Sequence, residues 1–272
     1  MPDYRFETPN PVNLVVEISK GNVEVRCTDT TESTVLVEGK NADSVVVEQR
    51  GDAITVTEPG RGRIFGDNAL RVEVVVPDGS NPAVRTGSAD IQVLGRAGHA
   101  QLRSGSGDVT TDVVEGHLLV ETGSGEIRID EVRGDLRVKT GSGDVEIAEA
   151  GAAASVSTGS GDVTVENAHG TTVVKTGSGD LSVGEAHGDT SFSTGSGDAA
   201  IDHVHRGRVT VKAASGDVSI GVARGVPVWT DITTVTGTIR SDLQGAGQPQ
   251  DGQDHVEVRA KTVSGDVALS EV

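Results

Sequence analysis

Through the middle of the chain, apolar and polar side chains alternate in short bursts, and each burst ends at a glycine-rich turn. In Thr140-Gly-Ser-Gly-Asp-Val-Glu-Ile-Ala, Val145 and Ile147 flank Glu146, while just before it Leu136 and Val138 alternate with Arg137 and Lys139. A period of two sends one set of side chains into a core and the other into water, which predicts β-strands. The bursts recur at a fixed interval: Gly105, Gly123, Gly141, Gly159, Gly177 and Gly195 lie 18 residues apart. In that phase the apolar positions become rows. The first strand of each unit gives Val109, Ile127, Val163, Leu181 and Val218, then Ile129, Val165, Val183, Ile201 and Ile220. The second gives Val120, Val138, Val156, Val174, Phe192 and Val211, and a second turn falls at Gly116, Gly134, Gly170 and Gly188.

Such regularity predicts a stacked repeat: an all-β, parallel β-solenoid or β-helix with 18-residue coils and two main strands per coil. Successive coils would lie about 4.8 Å apart, and the rule for parallel crossovers predicts right-handed winding. The coil is also long enough for a third short side. About four or five aliphatic side chains per coil, at roughly 1.5–3 kcal/mol each, do not offset ~1–2 kcal/mol of ordering cost per residue, so a coil can fold only within a stack. A narrow interior suits Val, Ile and Thr, and Phe192 is expected to point inward. Residues 148–154 are rich in Ala and Glu yet stay in register, so they are read as a thinly packed coil.

Three segments follow from the period. Residues 1–85 are irregular N-terminal β coils or a cap, residues 86–223 the regular array, and residues 224–272 irregular C-terminal coils with a mobile loop at 241–254. In the first segment, strands are expected at 12–18, 22–27, 34–38, 45–49, 53–57 and 71–76, with a flexible excursion at 58–67. A separate small β-sandwich is the alternative there. In the last, 235–239 and 263–269 are late copies, and Trp229 is expected to cover the end of the core.

Composition narrows the function. With 23 basic against 41 acidic side chains the net charge is −18, and no basic cluster overrides it, so nucleic acid and anionic membranes are not expected as partners. Met1-Pro-Asp-Tyr-Arg-Phe6 opens no signal peptide and no apolar run nears ~20 residues, which predicts a soluble cytoplasmic chain, at the cell surface only by a non-classical route. Cys27 is the one cysteine, which rules out an internal disulfide and a thiolate cluster; it reads as a core residue.

Candidate chemistry lies in the columns. Asp144, Asp162, Asp180 and Asp198, with Asp108, Glu126, Asp217 and Asp266, form an acidic row that could hold a metal. No second acidic row completes a calcium site, and bonding of Asp and Ser to local turn amides is the alternative. His169, His187 and His205 also recur at 18 and could hold a transition metal or form a pH-sensitive patch, though Glu115, Arg133 and Gly151 break the column. Divalent-cation binding is accordingly not expected. The threonine column Thr122, Thr140, Thr158, Thr176 and Thr194 is expected to satisfy its hydroxyls mutually. No nucleophile elbow or phosphate loop is present, so no catalytic residue and no cofactor are assigned.

The Thr-Gly-Ser-Gly-Asp-Val units, the leader ending Val74-Val-Val-Pro-Asp-Gly and the opening Arg85-Thr-Gly-Ser-Ala-Asp resemble the bacterial β-strand-repeat domains of unknown function often labelled "putative adhesins". The resemblance runs from about Val12 to Val272. It implies a parallel solenoid without assigned catalysis. Together these readings point to a non-catalytic scaffold or protein-interaction module, facing a protein partner or a second copy, with a cell-surface or polysaccharide-binding module as the alternative.

Overall fold

The computed structural model describes residues 3–59, 69–243 and 255–272. It is an all-β parallel solenoid whose described residues contain one helical element, the short 3-10 turn Ala42–Ser44. The chain divides into two compact units, Met1–Thr140 and Gly141–Val272.

In the first unit, Ala100–Ser106 with Val109–Val114 makes one coil and Leu118–Ser124 with Ile127–Val132 the next. Their pairing is parallel and 18 residues apart, Val120 beside Leu102 and Ile127 beside Val109. The N-terminal segment belongs to this stack, so the sandwich alternative falls. The expected break between residues 18 and 22 does not occur: Asn13–Thr28 is one strand, with Gly21 at φ +130°. It stays continuous because Asn81–Ala97 runs parallel beside it, from Asn13 opposite Asn81 to Cys27 opposite Gly95.

The other edge of Asn13–Thr28 pairs in parallel with Ala53–Thr57 and Leu70–Pro77. Segments that follow this strand in the chain therefore lie outside it in the stack. Beyond them the direction reverses: Glu32–Gly39 is antiparallel on Leu70–Pro77, Asp3–Glu7 on Glu32–Gly39, and Val46–Arg50 on Ala53–Thr57. Asp3–Glu7 was not expected from the sequence, and the excursion at 58–67 lies, from residue 60 on, outside the described residues.

In the second unit, Val145–Ala150, Ala154–Ser160, Val163–Ala168, Thr172–Ser178, Leu181–Ala186 and Thr190–Ser196 keep the 18-residue register, Val145 beside Val163 and Val156 beside Val174. The helix-favouring composition of 148–154 is overridden by this register. One extra residue between Val204 and Val209 then makes the offset 19, Thr190 beside Val209 and Ala199 beside Val218, with Gly207 at φ +93°.

The late copies do not continue in chain order. Val256–Ser264 lies between Gly207–Ser215 and Val228–Thr236, and Val267–Glu271 lies between Val218–Val222 and Ile239–Ser241. The last coil in sequence is thus the last but one in space. The apolar content explains the exchange: Val256, Val258, Ala260, Val267 and Leu269 are all buried, whereas the matching positions Val228, Thr230, Ile232 and Thr234 leave no residue of their strand buried. The coil with more to gain from two neighbours takes the inner place. The loop expected at 241–254 lies, from residue 244 on, outside the described residues.

Every member of the three predicted apolar rows is buried, Phe192 at 0% exposure.

Candidate functional site

The acidic row is spent on joining coils. Asp90 Oδ1 accepts the Asp108 amide and Asp108 Oδ1 the Glu126 amide; in the second unit the same bond runs from Asp162 to Asp144, Asp180 to Asp162, Asp198 to Asp180 and Asp217 to Asp198, at 2.7–3.0 Å. The expectation of bonds to local turn amides is therefore corrected: the amide served lies one coil further on. The turn turns away from the ladder there, and a carboxylate oxygen replaces the carbonyl that a strand would have supplied. Asp144, Asp162, Asp180 and Asp198 are brought into a column without being gathered around a common point.

The threonine column is also corrected. Thr122 and Thr158 donate to the carbonyls of Ser124 and Ser160 within their own turns, at 3.1 and 3.2 Å. A hydroxyl-to-hydroxyl bond between adjacent coils is made just ahead of the column, by Thr86 to Ser104 at 3.1 Å. The turn carbonyl lies two residues away and needs no reach between coils.

Among the described residues, histidines stack in two places. In the first unit the rings of His99 and His117 stack 5.2 Å apart, and each Nδ1 accepts the amide one coil on, from His117 and Asp135. They serve as the aspartates do.

In the second unit, His169, His187 and His205 stack as the period predicts, with centroids 5.3 and 4.4 Å apart and ring planes within 10°. Their partners are carboxylates. Glu149 lies 3.1 Å from His169 Nε2; Glu185 hydrogen-bonds His205 Nε2 through one oxygen and stands 3.5 Å from His203 Nδ1 through the other. Burial, helped by His205 and His169, holds the His187 imidazole below its ordinary pKa, and the His205 bond holds the Glu185 carboxyl below its own. Glu185, His187 and His205 are half-buried and offer donor atoms all within 4.8 Å of one another. The sequence reading missed Glu149 and Glu185. Their signal is a spacing of 20 rather than 18, a diagonal step to the next coil, which a search for columns passes over.

The two single residues divide. Cys27 is buried, and desolvation with Asp78 nearby pushes its thiol up to about 12, so it is the core residue expected. Thiol labelling by a disulfide reagent at neutral pH is expected to proceed only on unfolding, and stoichiometric labelling of folded protein would contradict this placement. Trp229 does not cover the core end: it is 52% exposed on the terminal rung, with the Arg259 guanidinium 5.5 Å from its ring. Residue 229 falls on the outward phase of a strand whose inward phase is Val228, Thr230 and Ile232.

The outer face of the first unit carries an open depression of about 480 Å³, whose lining includes His99, Gln101, His117, Leu119, Arg137 and Lys139. Nearby basic side chains are matched by acids, Arg103 with Glu121 at 3.0 Å and Arg133 with Glu115 at 2.7 Å.

Residues 12–270 match the family model described as Toastrack DUF4097. The chain belongs to that family. No curated protein matches the Toastrack chain. Among solved structures, a protein from Bacteroides fragilis titled a "putative adhesin" aligns with TM-score 0.51 at 12% identity, over 80% of this chain and 96% of that one. Another of the same title from Parabacteroides merdae aligns with TM-score 0.46 at 13% identity, over 80% and 94%. A "putative lipid binding protein" from Parabacteroides distasonis aligns with TM-score 0.38 at 10% identity, over 100% and 96%. At these identities the Bacteroides likeness speaks to the fold. Among the described residues, no helix is long and apolar enough to cross a membrane.

Proposed function

We propose that this Toastrack chain is a non-catalytic scaffold that docks a second copy of itself through its C-terminal rung. The observation that carries the reading is the contrast between edges. Asp3–Glu7 puts Asp3, Arg5 and Glu7 on its strand, and Val46–Arg50 carries Glu48 paired with Arg50 at 2.7 Å; charge of this kind guards an edge against further pairing. Val228–Thr236 carries one charged residue, Asp231, among threonines, valines, Ile232 and Trp229. Trp229, Val235 and Ile239 on this rung are 52%, 70% and 47% exposed. An edge that is β-branched, nearly uncharged and apolar suits pairing with its own copy about a twofold axis. The absence of catalysis in this reading draws on the polar columns, which are engaged in holding coils together.

The test is sedimentation of the untagged chain from about 1 to 200 µM. A concentration-dependent dimer is expected, weakened at least tenfold by Thr233→Lys, which sets two like charges near the axis, on the order of 1.4 kcal/mol or more. A monomer throughout, or a dimer indifferent to Thr233→Lys and Val235→Lys, would overturn the reading.

A second reading, binding of a cell-surface polysaccharide, draws on the depression lined by Gln101, His117, Arg137 and Lys139, which offers hydrogen-bonding groups in a shallow open site. Glycan-array binding lost in Arg137→Ala and Lys139→Ala would favour it over the scaffold.

A further inference from the structure

Glu185, His187 and His205 meet across two successive coils of the second unit. Two imidazoles on successive coils are stacked nearly parallel, 4.4 Å between centroids. A carboxylate two positions before His187 reaches the next coil and bonds the Nε2 of His205. The three donor atoms already lie within 4.8 Å of one another. Bonds from zinc to imidazole nitrogen or carboxylate oxygen are about 2.0–2.2 Å, so two ligands of one ion stand roughly 3.3–4.2 Å apart. The hydrogen-bonded pair Glu185 and His205 must part by side-chain rotation to admit the ion between them.

We propose that Glu185, His187 and His205 form a binding site for one transition-metal dication of the zinc type. The argument rests on three features. The donors are two imidazoles and a carboxylate, a set that suits zinc, nickel or copper over calcium or magnesium. The second oxygen of Glu185 stands 3.5 Å from His203 Nδ1, which gives the carboxylate an outer partner. All three donors are half-buried, so the ion can enter and keep water in its remaining positions.

The charge of −18 favours any cation, and the local field is less favourable because Arg206, whose Nε donates to the His187 carbonyl at 2.9 Å, stands close by. Selectivity must therefore come from the imidazoles. His99 and His117 supply the internal comparison. They stack as closely as His169 and His187, but their Nδ1 atoms accept backbone amides, and the carboxylate beside His117, that of Asp135, stands 3.6 Å from the same Nδ1. This proposal departs from the sequence-based expectation on divalent cations, and it is independent of the self-docking reading, since the residues involved lie outside the terminal rung.

Calorimetric titration of the untagged, EDTA-treated chain with zinc chloride, in 5 mM magnesium chloride, tests the site; cobalt(II) absorption reports coordination independently. One zinc per chain with micromolar or tighter affinity is expected, together with cobalt d–d bands. His187→Ala, His205→Ala and the near-isosteric Glu185→Gln are each expected to weaken binding at least tenfold. His203→Ala is expected to weaken it less, and the double variant His99→Ala/His117→Ala to leave it unchanged. Thermal melts of each apo variant separate loss of binding from loss of fold, and Glu185→Gln keeps the test open if a histidine variant unfolds. No saturable zinc binding below about 100 µM, on the order of 5.5 kcal/mol of affinity, would overturn the proposal. So would binding that survives Glu185→Gln and His205→Ala, or that magnesium abolishes.

Discussion

Alanine at Gly161 is expected to cost the second unit more than about 3 kcal/mol, well beyond what a left-handed backbone alone would cost. Gly161 has φ +140°, and a Cβ built there would stand 2.3 Å from the Gly143 carbonyl oxygen and 2.7 Å from its carbon. The obstacle is backbone, so no side chain can swing aside. Nor can the backbone yield cheaply, because the Gly161 amide donates to the Ser178 carbonyl at 3.2 Å and the Gly143 amide to Ser160 at 3.2 Å. Gly225 separates the two causes: its φ is +74°, but a Cβ there meets nothing within 4 Å. Gly225→Ala is expected to lose only the conformational share, roughly 1–2 kcal/mol. Urea unfolding of the two variants beside the parent decides the matter. Equal losses would mean that the repeated glycines serve backbone conformation alone, and that the close approach of successive turns costs nothing.

The same spacing explains what could be read in advance. Each position of the regular coil is written several times over, so that one ambiguous residue is corrected by its copies; this is why the alanines at 152–154 did not mislead, and why Phe192 could be placed inward beside valines. The ends lack that redundancy. Asn13–Thr28 pairs with Asn81–Ala97, 68 residues on, and Val209 with Val258, 49 residues on. Nothing local dictates those distances. They arise from a competition over which coil has enough aliphatic side chains to be worth enclosing, and that competition is visible only when both neighbours are known.

The candidate metal site was half legible for a related reason. A column search finds His169, His187 and His205 because ladder neighbours recur at the coil length. Side chains, however, lean along the strand and can meet a residue diagonally placed on the next coil. Glu185 reaches His205 in this way, and Glu149 reaches His169. The sequence therefore shows the stacked imidazoles and hides the carboxylates that give them a chemical use. The aspartate column shows the reverse: its residues were visible as a row, but the amide each one serves could be identified only from the turn geometry.

Truncation of Phe192 to alanine is expected to cost about 3–5 kcal/mol, as for a fully buried ring whose surroundings cannot collapse. The ring is 0% exposed, between Val174 and Val211 on the adjacent coils. A row of valines can admit a phenylalanine only if volume is given up nearby. Ala199 identifies where: it stands in the same coil, at the position that Leu181 and Val218 fill on the coils either side. The ring and the small residue are thus read as a compensating pair. Ala199→Leu alone is expected to overpack the coil and cost roughly 1–3 kcal/mol. Combined with Phe192→Ala, the same change is expected to refill the void and recover stability, giving a coupling of about 0.5–3 kcal/mol in a double-mutant cycle. If Ala199→Leu proves equally costly in both backgrounds, the two residues do not share space, and the room for the ring must come from the backbone of the coil itself.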